Sequence, residues 1–293
     1  MYCARFYLYY KYRTVWYTLG QPQKAIKDFT KEIELDRHRT VWYNLGQPQK
    51  AIEDYTKAIE LNPEDYDAYN NRGNVYDDMG QYQKAIEDFT KAIEIRPQHG
   101  WTSSFIYNNR GLTYGKSGQY RKAIADYTKA IELDNRFIHA YCNRAFAYVN
   151  LHEYQKAIDE YTKLIEHEGF SEYYNYRAFA YVNLHEYQKA IDDYTNVIEL
   201  DPENAAAYYS REIPFAYYNR GIAYSKLGQS QKAKADYTKA IANYTKEIKL
   251  YLNSENHDDA YHCRGLAYCN MGQYRKAIAD YTKAIGNGKL KCT

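Results

Sequence analysis

The chain has 293 residues with 39 basic and 37 acidic side chains, so it lacks the basic excess expected of a nucleic-acid-binding surface. Its five cysteines form no CxxC pair, which argues against a disulfide framework and against a zinc site. The aromatic first twenty residues are interrupted by Arg5, Lys11 and Arg13, so neither a signal peptide nor membrane insertion is predicted. Reduced thiols and the absence of these segments favour a cytoplasmic location.

A motif close to Lys-Ala-Ile-x-Asp-Tyr-Thr-Lys recurs along the whole chain. Its first alanine falls at Ala25, Ala51, Ala85, Ala123, Ala157, Ala190, Ala233 and Ala277. The spacing centres near 34 residues, and a repeat of that length with two helical patterns is typical of a stacked solenoid. The sequence therefore predicts one array of about eight repeats rather than two separate globular domains.

The first two repeats are short. The segments 13–26 and 39–52 are near copies only 26 residues apart, so about two helical turns are missing before Val41. Either the second repeat has a short first helix over Arg39 to Leu45, which we favour, or that helix is fused to the preceding one. Fusion stays open because neither proline nor glycine separates Asp36 from Val41.

The third repeat shows the regular pattern. Apolar spacing predicts a first helix over about Asp67 to Met79 and a second over about Tyr82 to Ile95. Glycine follows the first helix, and Pro97 ends the second. The residues predicted to be buried are Tyr69, Gly73 and Tyr76 in the first helix and Ala85, Phe89, Ala92 and Ile93 in the second. Glycine or alanine recurs at the Gly73 slot, which predicts a close approach of the two helices there.

Later repeats depart from this pattern in three places. Repeat four gains four residues around Gly100, which predicts a longer loop. In repeat seven, Pro214 is well placed to start the first helix. Before repeat eight, a sequence starting at Asp236 is echoed seven residues later from Asn243, and seven residues are two helical turns. This insertion is predicted to lengthen the helix without changing its phase.

His152 and His185, which replace the glycine of other repeats, are predicted to lie at the turn between helices.

The residue types and spacing of the third repeat resemble those of a tetratricopeptide repeat. The resemblance implies an all-α fold, a right-handed superhelical solenoid of antiparallel helix pairs whose first helices line a concave groove. It also implies a non-catalytic scaffold that binds another protein or peptide. The predicted repeats, within a single array over 1–293, are 6–37, 38–63, 66–97, 104–135, 138–169, 171–202, 214–252 and 258–288.

Asparagines at one position of the first helices are the candidate peptide-binding residues. The position two residues after the core tyrosine holds asparagine in four of six repeats, and helical geometry points it away from the core. An amide offers an acceptor and two donors, which suits it to bind an extended peptide backbone. The predicted groove residues are Asn71, Asn74, Asn109, Asn143, Tyr176 and Asn219.

Each regular repeat also has an arginine in its first helix and a carboxylate in its second. Because the acids match the arginines repeat by repeat, we expect ion pairs between helices rather than a nucleic-acid-binding stripe. The predicted pairs are Arg72 with Asp88, Arg110 with Asp126, Arg144 with Glu160, Arg177 with Asp193, Arg220 with Asp236 and Arg264 with Asp280.

No catalytic, phosphate-binding or metal-binding motif occurs, so we predict no enzyme activity, no metal site and no cofactor. Two alternatives to a peptide-binding scaffold stay open. The chain could be a structural subunit of a larger assembly or could self-associate through the ends of the array. It could equally be the regulatory repeat region of a larger multidomain protein.

Overall fold

The structure, a computed structural model, describes residues 47–95, 101–200, 212–250 and 258–286, and these contain only helices and connecting turns. The helices are α1 (Pro48–Leu61), α2 (Tyr66–Asp78), α3 (Tyr82–Ile95), α4 (Trp101–Lys116), α5 (Tyr120–Leu133), α6 (Ile138–Asn150), α7 (Tyr154–Glu168), α8 (Ser171–Asn183), α9 (Tyr187–Leu200), α10 (Glu212–Lys226), α11 (Ser230–Leu250), α12 (Asp258–Asn270) and α13 (Tyr274–Gly286). The all-α prediction is confirmed. The choice between a short and a fused helix in repeat two lies outside the described residues.

The chain divides into two compact units, each built from helix pairs. Unit 1, Met1–Asp134, contains α1 and the pairs α2–α3 and α4–α5. Unit 2, Asn135–Thr293, contains the pairs α6–α7, α8–α9, α10–α11 and α12–α13. Within each unit, the second helix of one pair packs against the first helix of the next pair. The repeat is therefore the structural unit, as its sequence period predicts.

The turns inside the pairs explain the recurring glycine. Gly80, Gly118 and their equivalents end the first helices with φ between 71° and 76°, the left-handed region that favours glycine. His152 and His185 adopt the same conformation with φ of 59° and 62°, and each Nδ1 lies 2.7 Å from a tyrosine hydroxyl two residues later. The prediction that both histidines lie at the turn is confirmed.

A second set of glycines allows the paired helices to approach closely. A Cβ placed on Gly111 would lie 2.6 Å from Cε1 of Tyr127, and one on Gly73 would lie 2.9 Å from Cε1 of Phe89. Those distances are shorter than any van der Waals contact, so the aromatic ring occupies the space that a side chain would need. The predicted close approach at this slot is confirmed.

The insertion before repeat eight lies within a described helix. Helix α11 runs for 21 residues without a break, and its added segment stays in phase because Tyr244 and Ile248 are buried beside Ala240. This confirms the prediction of a lengthened helix. The longer loop predicted around Gly100 in repeat four lies outside the described residues, and α4 begins directly after it at Trp101. Ser103 and Ser104 of α4 are buried.

Candidate interaction surface

An arginine–carboxylate pair joins the two helices of every regular repeat that the structure describes. The Nε and Nη2 of Arg72 donate to the two carboxylate oxygens of Asp88, both at 2.7 Å. The same two-nitrogen geometry holds for Arg110, Arg177, Arg220 and Arg264 with their partners. Arg144 instead uses Nη2 for both oxygens of Glu160, at 2.9 Å each, because glutamate is one methylene longer. The six predicted pairs are confirmed.

In five repeats, those of Arg72, Arg110, Arg177, Arg220 and Arg264, the remaining guanidinium nitrogen connects the repeat to the one before it. Nη1 of Arg72 donates to Oγ1 of Thr56 at 3.0 Å, and that hydroxyl donates to the Ile52 carbonyl at 2.7 Å. The equivalent bonds run from Arg110 to Thr90, Arg177 to Thr162, Arg220 to Thr195 and Arg264 to Thr245. We call this three-helix connection the arginine staple. It fixes the position of each first helix and therefore of the side chains on its outer side.

The chain has 38 tyrosines, and many of those that recur in the first helices lie beside the arginine staple. The Arg72 guanidinium carbon lies 5.7 Å from the ring centroid of Tyr69 and 6.0 Å from that of Tyr76, one turn before and one after it. Lys84 covers Tyr76 from the second helix at 5.3 Å. All three are cation–π contacts. The hydrogen-bonded carboxylate of Asp88 raises the pKa of the Arg72 guanidinium above its usual range, so the guanidinium stays charged.

In unit 1, the predicted groove asparagines bond to one another. Asn109 donates through Nδ2 to Oδ1 of Asn70 at 3.1 Å, and Asn70 donates to Oδ1 of Asn71 at 3.4 Å. All three are half-buried, as is Asn74. These bonds join the first helices of two successive repeats, so part of the amide capacity that was predicted for a peptide is used within the protein.

Close by, Lys116 of α4 forms an ion pair with Asp77 of α2. The pair bridges the same two first helices at their C-terminal ends. Lys116 is thus already partnered by a carboxylate of its own chain.

In unit 2, the predicted groove residues differ from one another. Tyr176 is exposed, and its ring lies 5.6 Å from the ring centroid of Tyr161. Asn143 and Asn219 are half-buried, and Nδ2 of Asn219 is a buried donor with no hydrogen-bond partner. Buried amide groups normally have partners, so this donor is unusual. The neighbouring Tyr173 is buried in the core with Leu164.

An aromatic surface on the same side of the first helices was not predicted from the sequence. Phe146 and Phe179, five residues after the core tyrosine, are 58% and 42% exposed, and Phe215 is also exposed. Together with Tyr176 they form what we call the aromatic face of unit 2. The signal was present in the sequence, since phenylalanine occupies a slot that holds Asn74 in the third repeat, but only Asn74 had been assigned to the groove.

Other kinds of site are not evident in the described parts of the chain. Across 47–95, 101–200, 212–250 and 258–286, no three histidine, cysteine, aspartate or glutamate side chains are grouped so that they could hold a metal ion. In the same ranges, no helix combines the length and apolar character needed to cross a bilayer. Within these ranges, Cys142, Cys263 and Cys269 are not in disulfide bonds.

The chain matches sequence profiles of a known family. The sequence profile described as tetratricopeptide repeat matches 66–99, 104–137, 171–204, 214–244 and 250–286. Related repeat profiles match 40–80 and 138–166. The chain belongs to the tetratricopeptide repeat family. The helix pairs and the close glycine–aromatic contacts are thus those of tetratricopeptide repeats (TPRs), and TPR arrays are protein-interaction scaffolds.

Solved structures agree with the TPR fold. A tetratricopeptide repeat protein from Parabacteroides merdae is 21% identical over 88% of this chain and 93% of its own, with a TM-score of 0.65. YrrB, described as a TPR protein with an unusual peptide-binding site, is 24% identical over 66% of this chain and 93% of its own, with a TM-score of 0.52. Cut9 in the Cut9–Hcn1 assembly of the APC/C is 18% identical over 86% of this chain and 45% of the matched chain, with a TM-score of 0.58. A comparison with curated protein sequences found no match.

Proposed function

We propose that this TPR protein is a non-catalytic scaffold that binds an extended segment of another protein along the first helices of unit 2. The aromatic face is the observation that carries the proposal. Four large aromatic side chains, Phe146, Tyr176, Phe179 and Phe215, are exposed on three consecutive first helices. Aromatic side chains are enriched at interfaces because they contribute a large contact area. Exposed apolar patches of this kind typically mark binding sites.

Polar atoms beside the aromatic face supply a second requirement of peptide binding. Oδ1 of Asn175 and Nδ2 of Asn219 are buried atoms without a hydrogen-bond partner, one an acceptor and one a donor. Asn175 precedes Tyr176 on α8, and Asn219 lies on the next first helix, α10. A peptide backbone offers both a donor and an acceptor at each residue. Satisfying a buried amide atom is worth about 1 kcal/mol or more, so these atoms favour an extended backbone as the ligand.

The nature of the face suggests which segments would bind. Its exposed side chains are phenylalanine and tyrosine, and the half-buried Ile222 and Leu266 occupy the slot of Phe146 in the later repeats. An apolar face favours a segment with apolar side chains over a strongly charged one. The ligand is therefore expected to be an extended, weakly charged segment with apolar residues at alternate positions, because those point to one side of an extended chain.

Selection of random peptides on the full chain tests the proposal. We expect an enriched apolar pattern and at least tenfold weaker binding to the double variant Phe146→Ser and Phe179→Ser. The matched control, Leu61→Ser and Leu227→Ser, removes two exposed apolar side chains that are not on the aromatic face. We expect the control to bind as the parent does. Equal binding by both double variants would refute the proposal.

The asparagines are tested separately. We expect the double variant Asn143→Ala and Asn219→Ala to weaken binding of the selected peptide by about thirtyfold, since each of the two lost hydrogen bonds costs about 1 kcal/mol. Asn183→Ala is the control, because Nδ2 of Asn183 already donates to the Phe179 carbonyl of its own helix at 2.8 Å. A cytoplasmic location is part of the proposal and rests on the sequence pattern and on cysteines that are not in disulfide bonds.

A further inference from the structure

The last described helix, α13, carries an apolar stripe that is exposed. Ile278 and Ile285 are 64% and 60% exposed, and Tyr274 is exposed beside them. They lie at spacings of four and seven residues and thus on one side of the helix. The residues at the slot of Ile278 in four earlier second helices, Ile52, Ile86, Ile158 and Ile191, are at most 8% exposed. The stripe is therefore a packing face in every one of those repeats and an open face on α13.

Earlier repeats show what normally covers this face. At the junction of α1 and α2, Ala68 and Val75 of the first helix pack with Ile52 of the second helix that precedes it. At the junction of α9 and α10, Ala216 packs on Val197, and at the junction of α11 and α12, Ala260 packs on Ile248. In each case, small side chains of an incoming first helix allow it to lie close to the second helix.

The arginine staple accompanies the packing at these junctions. Thr56, Thr90, Thr162, Thr195 and Thr245 each accept a hydrogen bond from the incoming arginine. Thr282 is the equivalent residue of α13. It is exposed, and its hydroxyl donates to the Ile278 carbonyl at 2.8 Å. The other threonines likewise donate to the carbonyl four residues earlier. Its lone pairs are oriented to accept an incoming donor.

Three of the incoming helices, α2, α10 and α12, share a simple pattern on the side that packs. A small apolar residue is followed four residues later by the arginine and three residues after that by another small apolar residue. The instances are Ala68, Arg72 and Val75 in α2, Ala216, Arg220 and Ala223 in α10, and Ala260, Arg264 and Ala267 in α12. This pattern is the complement of the stripe with its threonine.

We propose that the stripe of α13, formed by Tyr274, Ile278, Thr282 and Ile285, is a docking site for an amphipathic helix of a partner protein that carries an arginine between two small apolar residues. The partner's arginine bonds to Oγ1 of Thr282, and its small residues pack on the two isoleucines. This site is separate from the aromatic face, so the two proposals stand or fall independently.

Charge argues against a second copy of α13 as the occupant. The helix carries Arg275, Lys276 and Lys283, and its one acid, Asp280, is engaged by Arg264. Two such helices laid face to face would bring like charges together, which is unfavourable. The complementary face of α2, α4, α8, α10 and α12 is already covered within the chain by the preceding second helix.

A helical peptide probe tests the docking site on the full chain. The probe has the sequence 212–226, which includes the pattern of Ala216, Arg220 and Ala223, and is held helical by a side-chain crosslink at the positions of Tyr218 and Ile222, away from the packing side. Binding is followed by fluorescence anisotropy. We expect saturable binding, weakened at least tenfold by Ile278→Lys. Ala279→Lys is the matched control, because it adds the same charge at the exposed neighbouring position off the stripe. We expect it to change binding by less than twofold.

The arginine contact has its own readout. Replacing the arginine of the probe by glutamine is expected to weaken binding to the parent chain by about fivefold, the effect of one lost hydrogen bond. With Thr282→Val, the same replacement is expected to have less than a twofold effect, because the acceptor is already gone.

Absence of saturable binding, or equal binding to parent and Ile278→Lys, would overturn the proposal. So would a concentration-dependent increase in mass that Ile278→Lys abolishes and the probe does not reverse, since the occupant would then be a second copy of the chain.

Discussion

Nη1 of Arg264 donates a hydrogen bond to Oγ1 of Thr245 at 3.0 Å, although α11 has an equivalent threonine, Thr238, two turns earlier. Thr238 is exposed, and its hydroxyl bonds to the Lys234 carbonyl. The seven-residue insertion has therefore moved the arginine staple along the helix by two turns without changing its geometry. The staple is thus a property of the junction between repeats rather than of a fixed place in the repeat.

Valine substitutions at the two threonines test this. We expect Thr245→Val to lower the free energy of unfolding by about 1 kcal/mol, because the half-buried arginine loses an acceptor. Thr238→Val should change it by less than about 0.5 kcal/mol, as is usual for exposed positions. Denaturant midpoints of both variants give the comparison. Equal midpoints would show that the staple at Thr245 contributes nothing to stability.

Two glycines of α4 give a matched pair for helix packing. Gly111→Ala should destabilise by about 1–3 kcal/mol, because the new Cβ would lie 2.6 Å from Cε1 of Tyr127. At Gly115 the nearest atom to a new Cβ is the Tyr127 hydroxyl at 3.7 Å, an ordinary contact. Gly115→Ala should therefore stabilise by up to about 1 kcal/mol through helix propensity. Thermal unfolding distinguishes the two. A stabilised Gly111→Ala protein would contradict the packing account.

The histidines with left-handed backbone conformation lead to a different prediction, in which introducing glycine increases stability. His185 has φ of 62° at a turn where other repeats have glycine. We expect His185→Gly to stabilise by about 0.5–1 kcal/mol, because glycine adopts this conformation without strain and the exposed contact to Tyr187 is worth little. The reverse change, Gly228→His, should destabilise by a similar amount. Destabilisation by His185→Gly would show that the histidine–tyrosine contact outweighs the backbone strain.

Buried tyrosines predict how stability depends on alkaline pH. Burial raises the pKa of Tyr237 to about 12 and raises the pKa of Tyr194 above its usual range. An unfolded tyrosine loses its proton near pH 10, so between about pH 10 and 12 the folded chain binds more protons. Stability should therefore be unaffected by these groups below pH 10 and fall as pH rises through this window. Absorbance at 295 nm should report the late ionisation of these tyrosines, and circular dichroism should show unfolding in the same pH range.

Phenylalanine substitutions at Tyr194 and Tyr237 should have different effects on stability. The hydroxyl of Tyr194 is buried and has no hydrogen-bond partner, so Tyr194→Phe should be neutral or stabilising by up to about 1 kcal/mol at pH 7. The hydroxyl of Tyr237 bonds to Ser225, so Tyr237→Phe should cost about 1 kcal/mol at the same pH. Urea midpoints at pH 7 test the contrast. Both variants should lose stability less steeply than the parent above pH 10.

The sequence predicted the helix pairs and their contacts well because these depend on repeated residues. Local residue type and spacing were enough to predict three features. These are the bounds of α3, the ion pair of Arg72 with Asp88 and the tight turn at His152. The link from Arg72 to Thr56 was missed. It joins two repeats, and spacing within one repeat carries no information about which side chains meet across a junction.

The candidate site was harder to predict, since its residues differ from repeat to repeat. Helical geometry predicted that Asn71 and Asn109 lie on the outer side of their helices. It did not predict the hydrogen bonds that connect them through Asn70, because these bonds depend on the distance between two first helices. The exposure of Phe146 was missed because phenylalanine at a helical position is more often buried than exposed. Whether these asparagines bind a peptide stays a prediction.

Site-specific crosslinking to the selected peptide tests the central claim most directly. A photoreactive phenylalanine analogue is placed at Phe146, at Phe179 and, as a control, at Leu61, and the crosslinked product is measured by mass spectrometry. Our account predicts crosslinks from both positions of the aromatic face and none from Leu61, and it predicts that an excess of unlabelled peptide suppresses them. Binding of the peptide without crosslinks at Phe146 and Phe179 would contradict it.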